Sequence, residues 1–359
     1  LLALPCALQV TGTEKGGVAF KGRLHEVYVA NLHCRTAHRF LMRIETFQAS
    51  NFETLVRKTA VIPWELYLQP GCTPEIHVSA HQSRLYHSAA VAERLHQGIQ
   101  TRMAALPAFE SPGTANRPIQ RIHARLTRNQ CLLSIDSSGA NLHKRGLKRQ
   151  GGQAPLRETL AAAILMRAGY SGRETLCDPL CGSGTFALEG ALMAKKIPPG
   201  WYRDFAFQDW PAFREGRWRH IRRTAAPPDM SFPQPMVLAS DRNAAAIRRL
   251  EQTLTACGMN DVVRADQKDF ESLDGKTLSP VGGIVVLNPP YGKRLGSRRS
   301  AEQAYKAIGQ HLRSHFRGWK AAILAPNRRL ADLLGFRARR YAMSHGGQSV
   351  HVLIGSIPK

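Results

Sequence analysis

Acidic residues are scarce in this sequence of 359 residues: Asp and Glu number 26 against 50 Lys and Arg, so the formal net charge is +24. Such an excess predicts a polyanionic partner, nucleic acid above all, because cations that neutralise phosphates release condensed counterions. Charge alone leaves open a merely soluble basic protein. Hydrophobic residues make up 43% of the chain, enough for real cores, which argues against wholesale disorder.

Long hydrophobic runs and clustered cysteines are also missing. The apolar run 284–287 has the length of a buried strand, far short of the roughly 20 residues of a membrane span. No basic region precedes the apolar first residues, so no signal peptide is predicted, and the absence of an initial Met leaves N-terminal truncation open. The seven scattered cysteines form no C-x-x-C pair, so we expect neither disulfides nor a metal site. We expect the protein to lie in a reducing cytoplasm.

Length and pattern predict two domains and leave three open, since one domain usually takes roughly 100–200 residues. Up to about residue 140 the pattern is mixed, with a hairpin over 121–135 that has one apolar and one basic face. From about 151 strands and helices alternate, which is typical of a doubly wound α/β sheet. The stretch 196–235 is predicted to be a loop. Ser300 and Gln303 predict a capping box at the start of a helix.

A glycine turn follows a predicted strand over 178–186, with the sequence DPLCGSGTF. Ligands of doubly wound sheets bind at this edge, and glycines let the backbone pass close to them. A phosphate loop would need Lys and a dinucleotide fingerprint a third glycine, and both are missing here. The acid disfavours a pyrophosphate and favours a cationic amine, such as that of S-adenosylmethionine. The candidate cofactor residues are Asp178, Pro179, Cys181, Gly182, Ser183, Gly184 and Thr185.

Two further acids come at predicted strand ends. Asp241 could accept hydrogen bonds from both ribose hydroxyls of a nucleoside cofactor. Asp266 could accept a hydrogen bond from an adenine amino group, and a loop-capping role is equally open to it. Asp269 is a weaker alternative for the same contact.

The most specific pattern is Asn288-Pro289-Pro290-Tyr291, directly after the strand 284–287. The prolines stiffen the turn, so the Asn288 side-chain oxygen and a neighbouring carbonyl become fixed acceptors for the two hydrogens of a nucleobase amine. Such positioning frees the amine lone pair for attack on a sulfonium methyl group. The ring of Tyr291 offers a stacking face for the base, worth roughly 1–3 kcal/mol. These four residues are the candidate catalytic residues.

Methylation at carbon 5 of a pyrimidine would need a reactive cysteine on this loop, and the loop has none. We expect Cys177 and Cys181 to pack against the sheet instead.

The stretch 178–186 followed by 288–291 resembles the class I S-adenosylmethionine-dependent amino-methyltransferases. The stretches 142–160, 16–22 and 84–93 narrow the resemblance to bacterial large-subunit ribosomal RNA guanine-N2 methyltransferases with a THUMP RNA-binding domain. It implies a class I methyltransferase Rossmann-like doubly wound sheet after an α+β THUMP-type domain.

The resemblance implies a THUMP-containing RNA-binding region over 1–140 and an S-adenosylmethionine-dependent methyltransferase domain over 141–359. It implies cofactor contacts at Asp178, Gly182, Gly184, Asp241 and Asp266, and target-amine contacts at Asn288, Pro289 and Tyr291. Relatives carry a further strand and helix before the match at 16–22, so we expect the ferredoxin-like part of the RNA-binding module to be incomplete. Some relatives also fuse a second methyltransferase, for which this sequence shows no second motif.

The expected activity is methylation of a guanine N2 amine in 23S ribosomal RNA, with the base flipped out of its stack. The basic segments 143–149 and 214–223 are predicted to contact RNA phosphates. Two alternatives stay open: a noncatalytic RNA-binding or ribosome assembly factor with a relict cofactor pocket, and an adenine-N6 methyltransferase acting on RNA or DNA, which shares the Asn-Pro-Pro-Tyr motif. The sequence predicts no oligomeric state.

Overall fold

The structure is a computed structural model that describes residues 8–14, 16–106, 119–147, 156–289, 298–345 and 348–359. The chain divides into two compact units, Leu1–Leu142 with Arg203–Ala225 and His143–Tyr202 with Ala226–Lys359. The division differs from the two continuous domains expected from the sequence, because residues 203–225 belong to the first unit. The roles of the two units stay predictions.

The first unit holds a hairpin, a helix and a four-stranded sheet with two helices. The hairpin and its helix are β1 (Gln9–Glu14), β2 (Gly17–Lys21) and α1 (Leu24–His33). The sheet and its helices are, in chain order, β3 (Leu41–Gln48), α2 (Phe52–Ala60), β4 (Glu75–His81), α3 (Ser88–Ala104), β5 (Arg121–Thr127) and β6 (Gln130–Asp136). The strand order is β3-β6-β5-β4, with β4 and β5 parallel and the other pairs antiparallel.

The predicted hairpin is confirmed by β5 and β6, which turn through Arg128 and Asn129 in the left-handed region. Its apolar face packs on α2 and α3, because alternate strand residues such as Leu126 share one face of the sheet. On the basic face, Arg121 binds Glu75 at 2.8 Å and Arg125 binds Glu14 at 2.8 Å. These ion pairs reduce the positive charge that this face could offer to phosphates.

The second unit is a seven-stranded sheet with helices on both faces. Its elements up to the centre of the sheet are α4 (Glu158–Arg167), β7 (Leu176–Asp178) and α5 (Thr185–Ala194). After α6 (Glu215–Thr224), which belongs to the first unit, come β8 (Val237–Asp241), α7 (Ala244–Cys257), β9 (Val263–Gln267), α8 (Gly275–Leu278), β10 (Ile284–Leu287), α9 (Arg298–His315), β11 (Lys320–Ala325), α10 (Arg328–Asp332), β12 (Arg339–His345) and β13 (Gln348–Ser356).

The strand order β12-β13-β11-β10-β7-β8-β9 confirms the predicted doubly wound sheet. The strands from β9 to β11 run parallel, and β13 lies antiparallel to both β11 and β12. The chain moves outward from β7 to β9 and then returns to the other side of β7 with β10. The order therefore reverses between β7 and β10, and a crevice for ligands opens at the carboxyl ends of strands at such a reversal.

The stretch 196–235 is not a loop throughout, because it contains α6. Trp218 and Ile221 of α6 are buried, and Trp218 packs edge-on against Tyr28 of α1 and against Phe207. Only two of the ten residues of α6 are apolar, which is too weak a pattern to predict a helix from the sequence. Tyr28, against which Trp218 packs, lies far away in the sequence. The remaining face of α6 exposes arginines.

The predicted capping box is wrong, because α9 already includes Arg298 and Ser300 lies within the helix. Arg298 forms an i,i+4 ion pair with Glu302, which supports helix before Ser300. Among the helices in the described ranges, none has the length and apolarity needed to cross a membrane.

Candidate active site

Three of the predicted polar residues meet at one edge of the sheet in the second unit. β7 ends at Asp178, β8 ends at Asp241, and Asn288 follows the last residue of β10. The parallel register pairs Asp178 with Ala239 and Cys177 with Val285, so all three chain ends lie at the carboxyl edge. From this register, the Cα atoms of Asp178 and Asn288 are about 8 Å apart. The edge coincides with the reversal of strand order.

The glycine turn is tied to the neighbouring strand by backbone hydrogen bonds. The Cys181 N–H donates to the Ser240 carbonyl at 2.9 Å, and the Gly182 N–H donates to Asp241 Oδ2 at 2.9 Å. Pro179, Cys181, Gly184 and Thr185 are buried, whereas Gly182 and Ser183 are half-buried. Within the turn, Gly182 and Ser183 are thus more accessible than Cys181 and Gly184.

The two glycines are needed for different reasons. Gly184 starts α5 in the left-handed region (φ 71°), and a Cβ there would lie 2.4 Å from Leu250 Cδ1 of α7. Gly182 is also left-handed (φ 50°), but a Cβ there would meet no described atom within 4 Å. Gly184 therefore serves helix packing, whereas Gly182 presents bare backbone to open space.

The turn lies in a negative field. Burial raises the pKa of the Cys181 thiol far above its usual range, and the carboxylates of Asp178 and Asp241 raise it further. Burial likewise raises the pKa of Cys177, with Asp178 adding to the effect. Both thiols are buried in the packed core, as predicted. Neither serves as a thiolate nucleophile, and the surrounding carboxylates suit a cationic ligand.

Asp266 lies inside β9, opposite Ser240 of β8, and is bound by one cation of its own strand and one directly after it. Its Oδ2 lies 3.1 Å from Arg264 Nε and 3.2 Å from Lys268 Nζ. An adenine amine would share this carboxylate with those two side chains. The alternative, Asp269, accepts a hydrogen bond from the Glu271 N–H and caps a short helical turn.

Asn288 presents an acceptor at the end of β10. Its Oδ1 atom is buried and accepts no hydrogen bond from any residue that the structure describes. The following Pro289 is buried, which fixes the backbone that carries the amide. The predicted site residues Pro290 and Tyr291 lie outside the described residues.

Ser240 was missed by the sequence reasoning. Its hydroxyl is buried at the end of β8 and has no hydrogen-bond partner in the described part of the chain. A single Ser before Asp241 belongs to no recognisable motif. The signal that identifies it is a buried polar atom at the ligand edge, which only the structure provides.

The fold and the carboxyl-edge site together define a class I methyltransferase that uses S-adenosylmethionine. The family model described as the RMKL-like methyltransferase domain matches residues 145–351, so the chain belongs to that family. The model of the RlmL ferredoxin-like domain matches residues 4–41. The predicted fold class and family resemblance are thereby confirmed, while the THUMP assignment of the first unit stays a prediction.

Two relatives illustrate the range of lengths in the family. A Synechocystis protein named as an RNA methyltransferase, slr0064, is 33% identical over 336 residues, which cover 93% of this chain and 87% of that protein. The ribosomal RNA large subunit methyltransferase K/L of Syntrophotalea carbinolica is 33% identical over 356 residues, which cover 97% of this chain and 50% of that protein. The chain thus spans about half the length of the K/L relatives.

Two solved structures share the fold over nearly the whole chain. SMU.472, named as a methyltransferase and solved in complex with SAH, gives a TM-score of 0.81 at 26% identity and covers 95% of this chain and 90% of that one. A Listeria monocytogenes protein named as an N6-adenine-specific DNA methylase gives 0.82 at 26% identity, with 95% and 88% covered.

The residues present fit S-adenosylmethionine. Asp178 and Asp241 provide negative charge beside the turn, and the open side of Gly182 gives a ligand access to the backbone. When bound, this cofactor supplies an electrophilic methyl group on a positively charged sulfur. Asp178 would hold its cationic amine, and Asp241 its ribose hydroxyls.

We predict that the two glycines separate stability from cofactor binding. Gly184→Ala should destabilise the second unit by about 2–4 kcal/mol, because left-handed strain adds to a clash with buried Leu250. Gly182→Ala should lower the free energy of unfolding only by the left-handed strain, about 1–2 kcal/mol, yet it should weaken S-adenosylmethionine binding. Urea denaturation and calorimetry measure the two effects. Gly184→Ala combined with Leu250→Val should recover the part of the loss that comes from the clash but not the left-handed strain. Equal losses in the two single variants would contradict the distinction.

Proposed function

We propose that this chain transfers a methyl group from S-adenosylmethionine to the exocyclic N2 amine of a guanine in large-subunit (23S) ribosomal RNA. The observation that carries the proposal is the buried Asn288 Oδ1, an acceptor that no described residue satisfies, at the edge that holds the glycine turn. A buried polar atom without a partner costs about 1–3 kcal/mol, so its presence at this edge favours a donor supplied by a substrate.

An exocyclic amine is the donor that suits this acceptor. The Asn288 oxygen would accept one amine hydrogen and hold the nitrogen in place, with the lone pair directed toward the methyl donor. Pro289 offers no N–H that could compete for the same acceptor. Because the target amine lies inside a base pair in duplex RNA, the base has to leave its stack to reach the site.

RNA as the substrate is supported by charge and by relatives. The Synechocystis and Syntrophotalea relatives are named as RNA and ribosomal RNA methyltransferases. In the first unit, α6 buries Trp218 and Ile221 and exposes Arg217, Arg219 and Arg223, with Glu215 as its one acid. The residues predicted to contact phosphates over 214–223 therefore lie mostly on a helix whose exposed face is positively charged. The same prediction is wrong for Arg145 in segment 143–149, which is buried against Glu189.

We expect the exposed face of α6 to contribute to RNA affinity through phosphates. Arg217→Gln combined with Arg223→Gln should lower the slope of log K against log salt by about 1.4–1.8, since each lost phosphate contact removes about 0.7–0.9. Gln keeps helix propensity, and the buried Trp218 is untouched. Filter binding of 23S ribosomal RNA at several salt concentrations measures this slope. Arg57→Gln with Lys58→Gln on α2 is a control of equal charge, and an equal change there would remove α6 as a specific contact.

Two assays test the proposed function against the alternatives. Labelled methyl groups from S-adenosylmethionine should enter 23S ribosomal RNA and appear as N2-methylguanine after nuclease digestion and mass spectrometry. Label that enters DNA, or appears as N6-methyladenine, would replace the proposal with the adenine-N6 reading. Binding of RNA without binding of S-adenosylmethionine in calorimetry would favour the noncatalytic assembly factor.

A further inference from the structure

A cluster of basic side chains lies in the second unit, at the edge of the sheet opposite the one that holds Asn288. The cluster lines a cleft of about 770 Å³, formed by the end of α4, the start of β11 and the start of β12. Lys320 in this cleft pairs with Ile284 at the beginning of β10. Asn288 lies four residues further along the chain, about 13 Å of strand away. The cleft is therefore separate from the cofactor edge.

The lining of this cleft is far more basic than the chain as a whole. Of the eleven described residues that line it, five are Lys or Arg and none is acidic. Over the whole sequence, 50 of 359 residues are Lys or Arg, about one in seven. The five cations are Arg167, Lys320, Arg337, Arg339 and Arg340. Such a local excess is the electrostatic footprint expected of a polyanion site.

Four of these cations have no acid to neutralise them in the described part of the chain, and three of the four are exposed. Arg340 binds Asp332, and Lys320 Nζ donates to the Ala168 carbonyl at 2.9 Å. Arg167, Arg337 and Arg339 are exposed and form no ion pair with a described carboxylate.

Arg167 and Arg339 also converge on one tyrosine. The guanidinium carbon of Arg167 lies 4.0 Å from the centre of the Tyr341 ring. The two guanidinium groups lower the pKa of the Tyr341 hydroxyl, Arg167 more than Arg339. The ring holds the Arg167 side chain in place, so less side-chain freedom is lost when that guanidinium binds an anion.

We propose that this cleft is a second RNA-binding site, in which Arg167 and Arg339 contact phosphates of the RNA backbone away from the methylated base. A free phosphate is a poorer occupant, because small phosphate sites use helix N-termini and backbone N–H groups. Here the adjoining helix end is the C-terminus of α4, whose carbonyls carry partial negative charge. Exposed side chains that reach outward suit an extended polyanion. The inference rests on the proposed action on RNA.

The test uses the full chain with Arg167→Gln and Arg339→Gln together. Filter binding of 23S ribosomal RNA should show the slope of log K against log salt reduced by about 1.4–1.8 and the affinity at physiological salt lowered severalfold. S-adenosylmethionine affinity in calorimetry should stay unchanged, because the cofactor edge is not altered. The control, Arg248→Gln with Arg249→Gln, removes the same charge from exposed positions of α7 in the same unit.

Three outcomes would overturn the proposal. Equal losses in the two double variants would reduce the effect to bulk charge, and an unchanged slope would remove the contact. Inorganic phosphate that protects Arg167 and Arg339 from guanidine-directed labelling as well as RNA does would assign the cleft to a small anion. If the wild-type chain methylates no RNA, the proposed function fails, whereas the binding slopes still report on this cleft.

Discussion

Replacement of Asn288 by Ala should lower methyl transfer to RNA about 10²–10³-fold and leave the affinity for S-adenosylmethionine unchanged. A positioned polar group that contacts the reacting centre typically contributes a factor of this size. The residues predicted to contact the cofactor, Asp178, Gly182 and Asp241, lie on other strands and turns and keep their contacts. Single-turnover transfer of labelled methyl groups, with calorimetry of the cofactor alone, measures the two quantities separately.

The stability of this variant should separate a chemical role from a structural one. Asn288 Oδ1 has no described partner to lose, so Asn288→Ala should cost no more than about 1 kcal/mol in unfolding free energy. Asn288→Asp is the matched control, because it keeps the size and an acceptor at the Oδ1 position and should retain more activity than Ala. Transfer at the wild-type rate by Asn288→Ala, or a large loss of stability, would contradict the role proposed for this amide.

Local patterns in the sequence predicted this edge of the sheet because three of its polar residues lie at strand ends, although Asp266 lies inside its strand. Asp178 and Asn288 directly follow short apolar runs, and Asp241 follows such a run after one serine. Parallel strands bring the carboxyl ends of these runs to one edge. The glycine turn was likewise predicted, since Gly182 and Gly184 occupy a left-handed backbone that glycine adopts readily.

Local sequence patterns could not predict contacts between residues that lie far apart in the sequence. Trp218 of α6 packs against Tyr28, nearly two hundred residues away, and this contact puts a segment expected to be a loop into the first unit. The sequence shows that one face of the β5–β6 hairpin is basic, but it does not show that Glu14 and Glu75 bind the arginines of this face. Charge patterns show which residues are ionised, and only the fold shows which opposite charges they meet.

Arg145 is another basic residue whose acidic partner only the fold shows. Its removal should have a large effect on stability. Arg145 Nε lies 2.7 Å from Glu189 Oε1, and the two side chains are 2% and 1% exposed. Glu189 is the one charged residue in the sequence of α5, the helix that begins at the glycine turn. Arg145→Ala would leave a carboxylate buried without this partner, which costs about 3–5 kcal/mol.

Because the chain has two compact units, the loss has to be measured in the unit concerned. Hydrogen exchange of the backbone amides of α5 and β7 should speed up strongly in Arg145→Ala, whereas exchange in the sheet of the first unit should stay as in the wild type. The double variant Arg145→Met with Glu189→Leu removes both charges and should recover most of the protection, since apolar side chains of similar volume often replace a buried ion pair at little cost. If Arg145→Ala leaves the exchange of α5 unchanged, the ion pair does not hold the helix behind the glycine turn. If the double variant stays as unstable as the single one, packing of the Arg145 stem, and not the buried charge, accounts for the loss.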